Sequence, residues 1–234
     1  KGQCTCSDDE LDYVDRKAQL YTFKYSEDFP FTIASTRPET KLGDTAVAVH
    51  PTDERYKDYI GKTFEVEFCG MLLKLHVIAD NGVDPEFGTG ALGVTPAHSS
   101  IDFAMYEKQK AQGNDIGIIP VIGSVGKMTA QAGKAFEGLT CEEAREKVVA
   151  SLVEAGLLVS EQEIEQNVAT SDRFGDVIDS IPMTQWWLDV QKPIPGRGKS
   201  LRDLMREALT TGLHGDEKQK ITINPERFTK LYLD

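Results

Sequence analysis

Short runs of β-branched and aromatic residues, each closed off by Gly, Pro, Asp or Asn, dominate the first 123 residues. They are QLYTFKY (19–25), FTIAST (31–36), AVAVH (46–50), TFEVEFCGMLLKLHVIAD (63–80), ALGVTP (91–96) and GIIPVIG (117–123). Such side chains suit a pleated, half-buried surface, and the residues between them suit turns. Inside the longest run, Phe68-Cys69-Gly70-Met71 reads as the turn of a hairpin. NVATSDR (167–173) and ITIN (221–224) are later runs of the same kind. Three helices are expected beside these strands. Residues 101–112 follow Ser99 and Ser100 and stop at Gly113. Residues 141–155 follow Thr140, with Glu143 in capping-box position, and stop at Gly156. Residues 200–211 open at Ser200 and close at Gly212. The expected fold class is α+β, a β-barrel-like core of mostly antiparallel strands decorated by helices.

A chain of 234 residues can bury a sizeable core. It has no apolar run of about 18 residues, and its first residues, KGQCTCSDDELDYVDRK, are polar and acidic. We therefore expect no signal peptide, no membrane partner and a cytoplasmic location. The net charge of −12 argues against a broad basic face coating nucleic acid, although a pocket gripping a few nucleotides remains compatible with it. Charge is uneven along the chain. Residues 137–190 carry 12 acids and 3 bases, whereas residues 191–230 carry 9 bases and 5 acids. The stretch KPIPGRGK (192–199) reads as a linker. The basic part is the better place for phosphate contact, set against the ordinary reading of a solvated face. Cys4, Cys6, Cys69 and Cys141, with His50, His76, His98 and His214, lack the paired spacing of a zinc site. The expectation is reduced thiols, no metal and no cofactor.

Three stretches concentrate functional groups. The first is Ser35-Thr36-Arg37-Pro38-Glu39-Thr40-Lys41-Leu42-Gly43-Asp44. Pro38 biases Arg37 toward extended backbone, so the turn can present hydroxyls and a guanidinium to one cavity. Equally, its Ser and Thr can satisfy the local backbone. The second runs from Asp84 to His98 and holds Phe87, Gly88, Gly90, Gly93 and Thr95. Its glycines permit close approach of a ligand or a neighbouring strand. Their spacing matches neither a dinucleotide fingerprint nor a P-loop. The third is Asp102, in the first turn of an expected helix. The helix dipole stabilises a carboxylate there. Its spacing from Ser99 also fits a helix cap, and the sequence leaves capping and binding of a substrate ammonium both open. His98 has the chemistry of a general base or of a hydrogen-bonded structural residue. No nucleophile elbow accompanies it.

Taken together, STRPETKLGDTAVAVHP, DPEFGTGALGVTPAH and IDF resemble, in order and spacing, the editing (CP1) insertion of valyl-type class I aminoacyl-tRNA synthetases. GKMTAQAGKAFEGL (126–139), SDRFGDVI (171–178), QWWLDV (185–190) and PERFTKLYLD (225–234) extend the resemblance from about residue 13 to the end. Isoleucyl and leucyl enzymes carry related insertions whose turns read differently. No H-x-G-H and no K-M-S-K-S occurs, so ATP-dependent amino-acid activation is not expected of these residues. The resemblance implies an incoming connector strand at 1–20, an editing domain at 21–190 and a return connector at 191–234 toward a parent catalytic domain.

It further implies hydrolysis of threonyl-tRNA(Val) by a positioned water, with the 3′ CCA end as partner and without a metal or covalent intermediate. A pocket that hydrogen-bonds the threonine hydroxyl is left with unpaired polar groups when valine enters it. Asp102 matches the family aspartate that holds the α-ammonium. Arg37 and Thr40 match residues near the terminal adenosine and the ester. Asp102, Thr40 and Thr95 are thereby the expected catalytic residues. Ser35, Thr36, Arg37, Glu39, Phe87, Gly88, Gly90, Gly93, His98 and Ser99 are the expected substrate-binding residues. The chain departs from the family at Gly93, usually Lys, and at Ser99, usually Asp, so a cation and an anion are absent together. Those departures keep two alternatives open: a non-catalytic insertion guiding the tRNA 3′ end, and an editing domain of isoleucyl type.

Overall fold

The computed structural model describes residues 6–184 and 186–233; Cys4, Gln185 and Asp234 lie outside the described residues. The chain divides into two compact units, one ending at Pro182 and one beginning at Met183.

The first unit holds two open sheets. Strands β1 (Leu11–Phe23), β2 (Ile33–Ser35) and β7 (Leu158–Ser171) form a three-stranded antiparallel sheet in the order β2-β1-β7. Strands β3 (Ala46–Val49), β4 (Thr63–Phe68), β5 (Met71–Ala79) and β6 (Ala91–Val94) form a four-stranded sheet in the order β4-β5-β3-β6. Only the β3–β5 pair is parallel. The α+β class and the mostly antiparallel pairing are as expected, but among the described residues no closed barrel forms.

Strand β3 is enclosed on both faces, and its side chains alternate between two cores. Val47 and Val49 join the large cluster with Phe23, Tyr25, Phe29, Phe68 and Leu75. Ala46 and Ala48 face a smaller cluster with Ile78, Val94, Met105 and Tyr106. Met105 and Tyr106 belong to helix α1 (Ser100–Ala111), which therefore packs on the alanine face of the sheet. Helix α2 (Cys141–Glu154) buries Ala144, Val148 and Leu152 in the large cluster. Its capping box, Thr140 with Glu143, is complete.

Several expected elements stand where they were placed. The hairpin turns at Cys69-Gly70, both with positive φ. Helices α1, α2 and α3 (Leu201–Thr210) lie within one or two residues of their expected bounds. Others change. The run 117–123 forms no strand and makes only an isolated bridge from Ile122 to Met128. Pro120 has no N–H to give a ladder, and the N–H groups of Val121 and Ile122 both go to the His98 ring. Strands β1 and β7 begin well before 19 and 167. They form a ribbon exposed along most of its length, so neither carries the alternation that marks a half-buried strand. ITIN (221–224) is not a strand, and α4 (Thr229–Leu233) follows it.

The second unit is built around α3, capped by a reciprocal Ser200–Asp203 box. Arg206 ties α3 to α4 by donating to the Leu233 carbonyl at 2.7 Å. No described helix in the chain is long and apolar enough to cross a membrane.

Phe68 is fully buried between Phe23 and Tyr25, with ring centroids 5.8 and 5.3 Å away. Phe68→Ala is expected to cost about 3–5 kcal/mol. Urea unfolding followed by circular dichroism checks this; a loss below about 1 kcal/mol would contradict the role given to the aromatic cluster.

Candidate functional site

A two-turn 3₁₀ segment, Pro38–Gly43, leaves β2 and delivers the chain to β3. Its hydroxyls first serve the turn itself. Ser35 Oγ accepts from Arg37 N at 3.1 Å, and Thr40 Oγ1 donates to the Arg37 carbonyl at 2.9 Å. Thr36 lies half-buried at the bend between them. Glu39 is fully buried, and both its oxygens are taken by Arg145 of α2, at 2.9 and 2.7 Å. It anchors the turn to α2 and is closed off from solvent. Arg37 lies 3.6 Å from Glu39 and 2.5 Å from Asp179, closing a chain of alternating charges.

The expected helix start divides into two functions. Ser99 is the N-cap of α1 and accepts from Asp102 N at 3.2 Å. In a complete capping box the Asp102 carboxylate would return to the cap's N–H, as Glu143 and Asp203 do in α2 and α3. Asp102 does not return. Its Oδ2 accepts from Thr95 N at 2.7 Å, just beyond the end of β6. Asp102 is nearly buried, and among the described residues no group donates to its other oxygen. A carboxylate held by one oxygen near a positive helix end can take a cation with the other.

Behind Thr95 lies a buried cluster that sequence reasoning left out. Asp44, fully buried, accepts from the hydroxyls of Thr95 and Tyr25 and from Lys41 Nζ at 3.3 Å. Burial raises the Asp44 carboxyl above its ordinary value, and Lys41 with the two hydroxyls opposes that rise. Tyr25 is raised well above its own, first by burial and then by Asp44. The glycine at 93 has a local reason. A Cβ there would stand 2.5 Å from the Tyr25 hydroxyl and press on the Asp44 carboxylate. Lys41 and Asp44 looked like two charges in a polar turn, and nothing in their spacing signals burial.

The structure thus joins Thr95, Ser99 and Asp102 directly, and links them through Lys41 to the turn carrying Thr40 and Arg37. The glycine loop is held by other residues. Arg55 donates to the Pro85 carbonyl and the Tyr56 hydroxyl to the Thr89 carbonyl, at 2.8 and 2.6 Å. Gly88 packs on Ala34 of β2, Gly90 lies against Arg55, and Phe87 is exposed.

His98 is fully committed to the backbone. Nε2 accepts from Val121 N and Ile122 N at 2.9 and 3.0 Å, and Nδ1 lies 3.0 Å from the Ser180 carbonyl. One neutral tautomer, with the proton on Nδ1, satisfies all three. Of its two open readings, the structural one describes what the ring does here.

With this geometry in view, the relatives are informative. Three valine–tRNA ligases match nearly the whole chain: that of Fervidobacterium nodosum is 38% identical over 231 residues, covering 97% of this chain. That of Thermotoga maritima is 38% identical over 231 residues, again covering 97%. That of Carboxydothermus hydrogenoformans is 40% identical over 233 residues, covering 98%. The chain belongs to the valine–tRNA ligase family. It spans about a quarter of the length of these curated relatives, 24% of each. No family model matches it. A crystal structure of GlLeuRS-CP1 aligns with 55% of this chain and 78% of that one, at a TM-score of 0.42 and 14% identity. For this member of the valyl family, the departures at Gly93 and Ser99 coincide with a filled space and an ordinary N-cap.

Burial pulls the His98 pKa below its ordinary value, with Arg37 and Lys41 adding to the fall and the Ser180 carbonyl opposing it. The unfolded chain therefore takes up the proton near the usual value of about 6.5, while the folded chain does not. This stability is present above that pH and is lost as pH falls through it toward the lower folded value. His98→Leu is expected to cost roughly 1–3 kcal/mol at pH 7.5, because two N–H groups lose their acceptor. It should also flatten the decline of the unfolding midpoint on acidification. His76, lowered by burial and Lys74, keeps its own share of that slope. An unchanged pH slope in His98→Leu would refute the assignment.

Proposed function

We propose that this chain is the editing segment of a valyl-tRNA synthetase and hydrolyses threonyl-tRNA(Val). The observation that carries the reading is Asp102. Its helix has the Ser-x-x-acid start of a capping box, yet the carboxylate turns out of the helix to Thr95 and keeps one oxygen unpartnered among the described residues. In this reading that oxygen pairs the α-ammonium of the esterified amino acid. In the same reading the backbone at Thr40 and Thr95 lies toward the ester, their hydroxyls being engaged within the protein, and Arg37 lies toward the terminal adenosine.

Water attacks the ester carbonyl. A C–O bond to the water oxygen forms and the C–O bond to the ribose breaks. The ribose oxygen leaves with one of the water's protons, the other passes to solvent, and threonine departs as its carboxylate. Positioning and fixed hydrogen-bond donors supply the rate. His98 takes no proton in this scheme, because both its nitrogens are engaged. Threonine and valine are near isosteres, so a site made for the threonine hydroxyl rejects valine by leaving polar groups unpaired. The tRNA 3′ end is the partner. Residues 191–234 return the chain toward a catalytic domain, and exposed Trp186, Trp187 and Leu188 offer it apolar surface to cover.

The test is deacylation of threonyl-tRNA(Val) against valyl-tRNA(Val), by this chain and by Asp102→Ala. Selective threonyl cleavage, reduced on the order of 10²-fold in the variant, is the expected result. Cleavage of neither ester would favour an insertion that only guides the 3′ end, and cleavage of a different misacylated tRNA would favour an isoleucyl-type role. With a net charge of −12, binding of uncharged tRNA by the chain should be weak and fall steeply between about 50 and 200 mM salt. A tight, salt-insensitive complex in a filter-binding titration would contradict this.

A further inference from the structure

The cluster behind Thr95 contains a cation that the mechanism above does not use. Lys41 is 5% exposed. Its ammonium donates to the Gly93 carbonyl at 2.6 Å, to Thr95 Oγ1 at 2.9 Å and to Asp44 Oδ1 at 3.3 Å. An ammonium has three donors, so all are spent. Because Lys41 can only donate and a carboxylate can only accept, the Thr95 hydroxyl proton points to Asp44 and Lys41 fills one of its lone pairs. The Thr95 side chain is left with one orientation. The backbone N–H of that same residue holds Asp102.

Burying an ion pair is a poor way to gain stability, since desolvation consumes most of the attraction. This pair is buried at the strand end that presents an N–H to the Asp102 carboxylate. The steric limit at Gly93 points the same way, because any side chain there would displace Asp44 from Tyr25.

We propose that Lys41 is a positioning residue: through the Gly93 carbonyl and the Thr95 hydroxyl it fixes the end of β6, so that Thr95 N–H holds Asp102 with its second oxygen turned to the substrate ammonium. The proposal rests on the deacylase reading. Lys41 touches no substrate, and its effect passes through Thr95.

The experiment compares threonyl-tRNA(Val) with N-acetylthreonyl-tRNA(Val), which has no ammonium for Asp102 to pair. Lys41→Met alone would strand Asp44 as an unpaired buried charge. The test variant is therefore Lys41→Met with Asp44→Asn, which removes both charges together. It is measured beside Thr95→Val and the triple variant, each checked for cooperative thermal unfolding.

The unaltered chain should prefer the free-amino ester. The paired variant should lose at least about tenfold in kcat/KM on that ester and little on the N-acetyl ester. Thr95→Val should lose a similar amount, and the triple variant no more than either, because all act through one hydroxyl. A retained preference for the free amine, or losses that multiply, would reduce Lys41 to a structural ion pair and overturn the proposal. If the paired variant does not fold, Thr95→Ser against Thr95→Val decides: Ser should keep the preference and Val lose it, and equal behaviour overturns the proposal. Failure of the unaltered chain to cleave either ester removes the deacylase reading and this proposal with it. An active unaltered chain whose preference the paired variant retains removes this proposal alone.

Discussion

Ala46, Val47, Ala48 and Val49 are each completely enclosed, and the parts of the site are hung from these four residues. One side of β3 presses valines into an aromatic core, and the other offers alanines small enough for α1 to lie close. The 3₁₀ turn with Arg37, Thr40 and Lys41 arrives immediately before β3. Strand β6, which ends one residue before Thr95, pairs along its edge. The helix carrying Asp102 covers its alanine face. A change in how β3 packs would move all three groups at once, because interiors this dense do not deform independently.

The same sequence device is used three times with two outcomes. Ser or Thr followed three residues later by an acid opens α1, α2 and α3. In α2 and α3 the acid closes the box. In α1 the competing donor, Thr95 N, lies across a strand–helix turn that no local rule describes. This is why Asp102 can be singled out from sequence while capping and ammonium binding both stay open there. The turn at 35–44 shows the converse. Ser35, Thr40 and Glu39 are largely occupied by backbone or by Arg145, and Lys41, which reads as one more surface charge, is the group that reaches Thr95.

Legibility in the fold follows the same logic. The hairpin at 63–80 and the three capped helices were readable because their signals are local: a turn, a cap, a glycine stop. Strand β7 was only half readable, because its partner β1 lies far off in sequence and the exposed pair carries no burial pattern. The run at 117–123 has strand composition, yet its donors go to a side chain that arrives from elsewhere in the chain. Composition reports what a segment can bury, not which partner will take its hydrogen bonds.

The ribbon formed by β1 and β7 sets how such a unit can be joined to anything else. Leu11 lies opposite Ser171, so the polypeptide comes out of the ribbon beside the point where it goes in. Beyond Ser171 the chain doubles back, with Ile178 N–H donating to the Ala169 carbonyl and Ser180 reaching His98, so the ribbon's exit strand is itself tied to the body. Thirteen residues of extended strand make β1 roughly 40 Å long, and its last residues, from Leu20 to Phe23, are built into the core and paired with β2. Two strands laddered together resist stretching along their length and yield to bending across it. Bending is therefore confined to the exposed stretch between Asp12 and Lys17, while the end at Leu20 and Phe23 moves with the core.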